Sequence, residues 1–130
     1  MARIFVVDDD RTMVGLLQTL LQLEGHEVEA EGPQDDLLER LRAAQPDVIL
    51  MDVHLRQADG IAILRQLRDD RLCLGVRVIM TSGLDMEREC LAAGADSFLM
   101  KPYDPSELTE LVRGLAASRQ GDEQEGTQDK

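Results

Sequence analysis

Five strand-like runs alternate along the chain with five amphipathic stretches, and this alternation is the feature that most restricts its fold. The strand-like runs predict strands at residues 3–7, 26–32, 47–52, 75–82 and 96–100. The stretches that follow predict helices at about residues 11–25, 33–44, 61–69, 86–93 and 104–118. A repeated strand–helix order predicts an α/β protein with a parallel sheet and helices on both faces, which is a doubly wound three-layer sandwich.

The chain is long enough for one domain with a single core, because 43% of its 130 residues are hydrophobic. The last predicted helix ends near residue 118. The segment RQGDEQEGTQDK that follows contains no apolar residue. We therefore predict one domain over residues 1–118, and an acidic solvated tail or the start of a linker over 119–130.

Charge and cysteine usage narrow the classes of function. The net charge of −12 argues against direct nucleic-acid binding by this chain, because phosphate contacts need clustered Lys and Arg. No apolar stretch approaches the ~20 residues that a membrane span requires. Cys73 and Cys90 have no metal-ligand spacing and no signal peptide precedes them, so we expect a reduced, cytoplasmic setting.

Polar side chains follow four of the five predicted strands. They are Asp8 and Asp9, Asp52, Thr81 and Lys101. Ligands of such sheets bind at the carboxyl ends of the strands, so these side chains should converge on one edge. Three carboxylates suit a hard divalent cation, an ammonium and a hydroxyl suit phosphoryl oxygens, and one carboxylate could act as a nucleophile. The next residue, Asp10, is better explained as favourable charge at a helix N-terminus.

Four motifs, VVDDD, ILMDVHLRQADG, VIMTSG and GADSFLMKPY, occur in that order and span most of residues 3 to 117. With these motifs the chain resembles the receiver domain of two-component response regulators. The resemblance implies a flavodoxin-like (βα)5 fold with strand order 2-1-3-4-5 and a phosphorylated aspartate. It also implies Mg²⁺ as cofactor and a histidine kinase or histidine phosphotransfer protein as partner.

The resemblance assigns roles to individual residues. Asp52 is the implied phosphoacceptor and a ligand of Mg²⁺. Asp9 is the implied direct ligand, Asp8 acts through water, and the backbone carbonyl of His54 completes the protein ligands. These assignments rest on the position of each residue within the motifs.

Further roles concern the response to phosphorylation. Thr81 resembles the hydroxyl that follows the phosphoryl group, and Lys101 resembles its counter-charge. Phe98 stands at the aromatic switch position, and the family usually has a cis bond between Lys101 and Pro102. The implied protein is a phosphorelay switch that is not an enzyme on other substrates, is a monomer or weak dimer, and signals through its fourth helix, fifth strand and fifth helix.

Two departures from the family pattern are visible. Leu55–Arg56 replaces the usual Met-Pro, which predicts a looser loop and adds a positive charge near the site. Phe98 replaces the commoner Tyr, so its ring has no hydroxyl to donate. We also hypothesise that His54 and Gly83 tune the lifetime of the phosphoryl group by controlling water access.

Two alternatives remain open. The segment DDDRT also fits D-x-D-x-T of haloacid-dehalogenase-type phosphatases, with Asp8 as nucleophile and Asp10 as acid. That alternative leaves Asp52 without a role. The other is a pseudo-receiver, an interaction module that is never phosphorylated. It is disfavoured because such modules often lose an acidic residue or the lysine, whereas this chain has all of them.

Overall fold

A five-stranded parallel sheet forms the centre of the protein. The computed structural model describes residues 2–31 and 36–128. The strands of the sheet are β1 (Arg3–Val7), β2 (Glu27–Glu31), β3 (Val48–Asp52), β4 (Arg77–Ser82) and β5 (Ser97–Met100). Their order is β2-β1-β3-β4-β5, and every neighbouring pair is parallel. This confirms the predicted doubly wound sheet with order 2-1-3-4-5.

Five α-helices cover the two faces of this sheet. They are α1 (Arg11–Leu23), α2 (Leu37–Ala44), α3 (Gly60–Asp69), α4 (Glu87–Ala92) and α5 (Pro105–Gln128). The buried residues of α1 and α5 belong to one hydrophobic cluster, and those of α2, α3 and α4 belong to another. The three layers are therefore α1 and α5, the sheet, and the remaining helices. Within the described ranges, no helix is both long and apolar enough to cross a membrane.

Strand β3 is buried on both faces of the sheet, which explains why its sequence is apolar. Ile49 and Met51 join the cluster on the α2–α3–α4 side, whereas Val48 and Leu50 join the cluster on the α1–α5 side. Successive side chains of a strand point to opposite faces, and both faces here are covered by helices. All four side chains are at most 3% exposed.

Some element boundaries differ from the predictions. Helix α5 continues to Gln128 rather than ending near residue 118. Glu and Gln are frequent after residue 118 and are good helix formers, so the helix extends without burying apolar side chains. The predicted helix start at Pro33 lies outside the described residues. The assignment of 119–130 to a tail or linker stays a prediction.

Two short elements were not predicted. His54–Leu55 pairs with Ala58–Asp59 as a small antiparallel ribbon directly after β3. A 3-10 turn at Arg71–Cys73 connects α3 to β4, and the Asp70 side chain accepts a hydrogen bond from Leu72 N. Both elements are too short for a periodic pattern to reveal.

Candidate functional site

An open cleft of about 650 Å³ lies at the carboxyl ends of the central strands. Its lining residues are Asp8, Asp9, Asp10, Arg11, Asp52, His54, Arg56 and Lys101. The lining includes all the site residues predicted from the sequence except Thr81, which pairs in register with Asp52 on the neighbouring strand. The convergence follows from topology, because β1, β3 and β5 are parallel and end at the same edge of the sheet.

Lys101 connects two of the carboxylates. Its Nζ lies 3.1 Å from Asp8 Oδ2 and 2.9 Å from Asp52 Oδ2. Burial alone would lower the pKa of Lys101, but hydrogen bonds to Asp52 and Asp8 outweigh burial and raise this pKa above its ordinary value. The ammonium therefore stays charged and offsets the repulsion between two aspartates that flank it.

Backbone contacts fix the position of Asp52 at the end of β3. Its Oδ1 accepts a hydrogen bond from His54 N at 3.0 Å, and Val53 O accepts one from Gly60 N at 2.9 Å. Gly60 comes so close that a Cβ on it would lie 2.2 Å from Asp52 O. The glycine eight residues after Asp52 is thus required by a close approach between two backbone segments.

Asp9 and Asp10 have separate functions. Asp9 Oδ2 accepts a hydrogen bond from Arg56 N at 2.5 Å, which joins the loop after β1 to the ribbon after β3. Asp10 Oδ1 accepts one from Met13 N at 3.1 Å and so caps α1. The interpretation of Asp10 as a helix N-terminal residue is confirmed.

The donor set has the chemistry that Mg²⁺ prefers, because Asp8, Asp9 and Asp52 all present carboxylate oxygens to one cleft. In the part of the chain that the structure describes, no group of three or more His, Cys, Asp or Glu side chains is arranged to hold a metal ion. Asp8 and Asp52 each direct one oxygen to Lys101. The residue types fit Mg²⁺, and their ligand roles, including that of the His54 carbonyl, stay predictions.

The coupling of Thr81 to Phe98, in which Phe98 fills the space that Thr81 vacates, stays a prediction, and the alternation of side chains along β4 bears on it. Thr81 has the same parity along β4 as Ile79, which packs on the α1–α5 side, whereas Phe98 packs against the cluster on the α2–α3–α4 side. Ser82 shares the parity of Met80, which pairs in register with Phe98. The hydroxyl on the Phe98 face is therefore that of Ser82.

Sequence reasoning missed Ser82 because Thr81 and Ser82 both end the same strand. Both side chains are buried, at 1% and 0% exposure. Ser82 Oγ accepts a hydrogen bond from Leu84 N at 3.0 Å, at the start of the loop to α4. Because successive side chains of a strand point to opposite faces of the sheet, the alternation along β4 predicts that the two hydroxyls lie on different faces.

Tyr103 is a second residue near the site that the sequence reasoning did not single out. It follows the bond between Lys101 and Pro102, which is cis as predicted. Burial, with smaller contributions from Asp8 and Asp52, raises the pKa of Tyr103 to about 12, although Lys101 opposes the shift. The tyrosine therefore remains neutral beside the charged cluster.

The segment Leu55–Arg56 differs from the expected loose loop. Leu55 is 7% exposed and belongs to the core cluster on the α2–α3–α4 side. Arg56 begins the two-residue turn of the ribbon, and its N–H is bonded to Asp9. The loop is thus anchored at both ends without a proline.

A flavodoxin-like sandwich with an acidic cleft and a lysine at the carboxyl edge of its sheet defines a class of protein, the receiver module. The family model described as "Response regulator receiver domain" matches residues 4–113. The chain therefore belongs to the response regulator receiver domain family.

Curated relatives support this assignment. The alkaline phosphatase synthesis transcriptional regulatory protein PhoP of Bacillus subtilis is 31% identical over 114 residues, which are 87% of this chain and 48% of PhoP. The DNA-binding response regulator MtrA of Mycobacterium tuberculosis is 36% identical over 115 residues, covering 85% of this chain and 49% of MtrA. The chain spans about half the length of these relatives.

A solved structure supports the same fold. The receiver domain of the Francisella response regulator 1452 superimposes with a TM-score of 0.84 and 27% identity, covering 91% of this chain and 98% of that one.

Proposed function

We propose that this chain is the phosphoacceptor switch of a two-component phosphorelay. Asp52 receives the phosphoryl group from a phosphohistidine on a histidine kinase or a histidine phosphotransfer protein. The observation that carries this proposal is the contact of 2.9 Å between Lys101 Nζ and Asp52 Oδ2 inside an open acidic cleft. A carboxylate that is accessible and paired with a fixed cation suits attack on phosphorus.

The reaction transfers one phosphoryl group between two side chains. An Asp52 oxygen forms a bond to phosphorus, the bond from phosphorus to the donor histidine breaks, and the electron pair of that bond returns to the imidazole. Lys101, which already contacts Asp52, then neutralises phosphoryl oxygens. Asp9, Asp52, the His54 carbonyl and, through water, Asp8 would hold Mg²⁺, which when bound supplies further positive charge to these oxygens.

Propagation of the signal follows from the two hydroxyls at the end of β4. We propose that a phosphoryl group on Asp52, near −2 in charge, draws in the hydroxyl of Thr81, which pairs in register with Asp52. Ser82, on the other face, moves with this strand end and changes the packing of Phe98. The change then reaches the face of α4, β5 and α5 as a shift between two states.

A nuclear magnetic resonance experiment tests this propagation. Beryllofluoride with Mg²⁺ should shift the amide signals of residues 84–113, and Ser82→Ala should reduce these shifts while Asp52 still binds the ligand. An unchanged amide spectrum over 84–113 in the wild-type protein would contradict the proposed output face.

The remaining properties are part of the same proposal. The chain acts in the cytoplasm, as a monomer or weak dimer, and catalyses only its own phosphorylation and dephosphorylation. PhoP and MtrA carry "transcriptional" and "DNA-binding" in their names, but this chain matches about half of each. Its net charge of −12 disfavours direct binding of nucleic acid by the receiver itself.

The phosphatase alternative gives no role to Asp52, which Lys101 contacts inside the cleft. Asp10, its implied acid, lines the cleft but uses Oδ1 to cap α1 through Met13 N. The pseudo-receiver alternative is addressed by the phosphorylation test.

Intact mass spectrometry tests the proposed function. The protein is incubated with acetyl phosphate and Mg²⁺, and wild type, Asp52→Asn and Asp8→Asn are compared. We expect one added phosphoryl group in the wild type, none in Asp52→Asn, and none in wild type treated with EDTA beforehand. A gain that persists in Asp52→Asn would support the phosphatase alternative. No gain in the wild type, even with a phosphohistidine donor, would support the pseudo-receiver.

A further inference from the structure

The ribbon after β3 contacts two carboxylates of the acidic cleft through backbone N–H groups, that of His54 to Asp52 and that of Arg56 to Asp9. Arg56 begins the turn between His54–Leu55 and Ala58–Asp59. Its N–H donates to Oδ2 of Asp9, which is 47 residues away in sequence, at 2.5 Å. This bond uses only one of the two carboxylate oxygens of Asp9, and Asp9 lines the cleft.

We propose that the backbone N–H of Arg56 is a positioning group that holds the Asp9 carboxylate for Mg²⁺ binding. The inference rests on the proposed function, because it concerns the same cleft. A carboxylate that ligates a metal is usually oriented by a hydrogen bond to its other oxygen, and loss of such a partner weakens metal binding by about 10- to 100-fold. Asp8 is held by Lys101 and by Asp10 N, and Asp52 is held by Lys101 and by His54 N. Asp9 is held by Arg56 N.

The side chain of Arg56 has a separate effect. It is exposed and lines the same cleft as the three carboxylates. A guanidinium there opposes the approach of a cation, whereas the N–H supports it. The two effects belong to different atoms of one residue, so two substitutions separate them.

Proline at position 56 removes the N–H donor, and the sign of φ at this position is compatible with proline. Among the residues that the structure describes, Gln45 is the only non-glycine with a positive φ, so the φ of Arg56 is negative, which suits proline. The preceding residue, Leu55, lies in a strand, and an extended conformation is the one that a residue before proline prefers. Arg56→Pro should therefore fold.

The test compares Mg²⁺ affinity in Arg56→Pro and Arg56→Ala by isothermal titration calorimetry, with no phosphoryl donor present. Both variants lose the guanidinium, but only the proline variant loses the N–H. We expect Mg²⁺ to bind to Arg56→Pro about tenfold more weakly than to Arg56→Ala. Equal or tighter binding by Arg56→Pro would overturn the inference.

Two further measurements separate this inference from the proposed function. In the metal-free wild type, the Arg56 amide should be protected from hydrogen exchange, and Asp9→Ala should remove that protection. An unprotected Arg56 amide would overturn the inference and leave the proposed function intact. A wild-type protein that binds no Mg²⁺ would overturn both together.

Discussion

Lys101 is the cation that contacts both Asp8 and Asp52 in the cleft. Two aspartate carboxylates about 4 Å apart repel each other by ~4 kcal/mol at an effective dielectric constant of 20. Lys101 contacts both Asp8 and Asp52, and its raised pKa keeps it charged at neutral pH. The three consecutive aspartates therefore have three different partners. Asp8 pairs with Lys101, Asp9 accepts a hydrogen bond from a backbone N–H, and Asp10 caps helix α1.

Gly60→Ala is expected to lower stability and slow phosphorylation. The new Cβ would overlap with Asp52 O, so the backbone at Asp52 must shift, at a cost of about 2 kcal/mol in the free energy of unfolding. Urea unfolding and the rate of mass gain with acetyl phosphate measure the two effects.

Gly114→Ala in α5 is the matched control. A Cβ there meets no atom within 4 Å, and alanine favours a helix, so stability should rise by about 0.5–1 kcal/mol with unchanged phosphorylation. Equal stability of the two variants would show that the close approach at Asp52 carries no strain.

Most of the site residues were predictable because a strand end is easy to locate in an apolar run. The face of a side chain near that end was harder to predict. Thr81 and Ser82 differ by one position, and one position reverses the face of a strand. The hydrogen bond from Arg56 N could not be predicted from the sequence either, because every residue except proline has a backbone N–H.

At the scale of elements, Arg68 connects three segments on one side of the sheet. Its guanidinium donates to four backbone oxygens, those of Cys73, Leu74, Val76 and Gly94. It also pairs with Asp96 at 3.0 Å. The end of α3, the connection to β4 and the turn before β5 are thereby held together.

Asp96 is thus engaged within its own chain, since Arg77 also contacts it at 3.5 Å. Arg113 pairs instead with Glu24. A pair between Arg113 and Asp96 across two subunits would have to break these contacts.

Arg68→Met should lower the free energy of unfolding by about 3 kcal/mol, because it leaves partly buried carbonyls and Asp96 without this donor. Arg65→Met is the control on the same helix, since Arg65 is exposed, and its effect should stay within about 0.5 kcal/mol. Chemical denaturation measures both, and a small loss in Arg68→Met would show that water replaces the guanidinium without cost.

The length of elements was predicted less well than their existence. Helix α5 continues beyond the last apolar residue, and a segment without apolar residues has no hydrophobic periodicity from which a helix could be predicted. Leu55 in the ribbon after β3 is buried. A strand of two residues is too short for its hydrophobic pattern to predict it.

At the scale of the whole molecule, stability should fall as the pH drops below neutrality. Ala2 N donates to Nδ1 of His26 at 3.1 Å, and only a neutral imidazole accepts this bond. Burial lowers the pKa of His26 below its ordinary value of 6.5, and nearby Arg113 adds to this shift while Glu24 opposes it. The unfolded chain therefore binds the proton more readily, and the contribution of His26 is complete above pH 6.5 and is lost below it.

A comparison of wild type with His26→Gln tests this pH dependence. The difference between their urea midpoints should be larger at pH 7.5 than at pH 5.5, because the wild type loses the imidazole contribution on acidification. A difference that is the same at both pH values would exclude His26 as the cause.

The division of the core into two clusters also affects the cysteines. Cys73 and Cys90 both lie in the cluster on the α2–α3–α4 side, and burial raises the pKa of each thiol, that of Cys90 to about 11. A thiol that is both enclosed and protonated is a poor nucleophile. Oxidants and alkylating agents should therefore react slowly with both thiols in the folded protein. The two cysteines are therefore expected to be unreactive as long as the chain is folded.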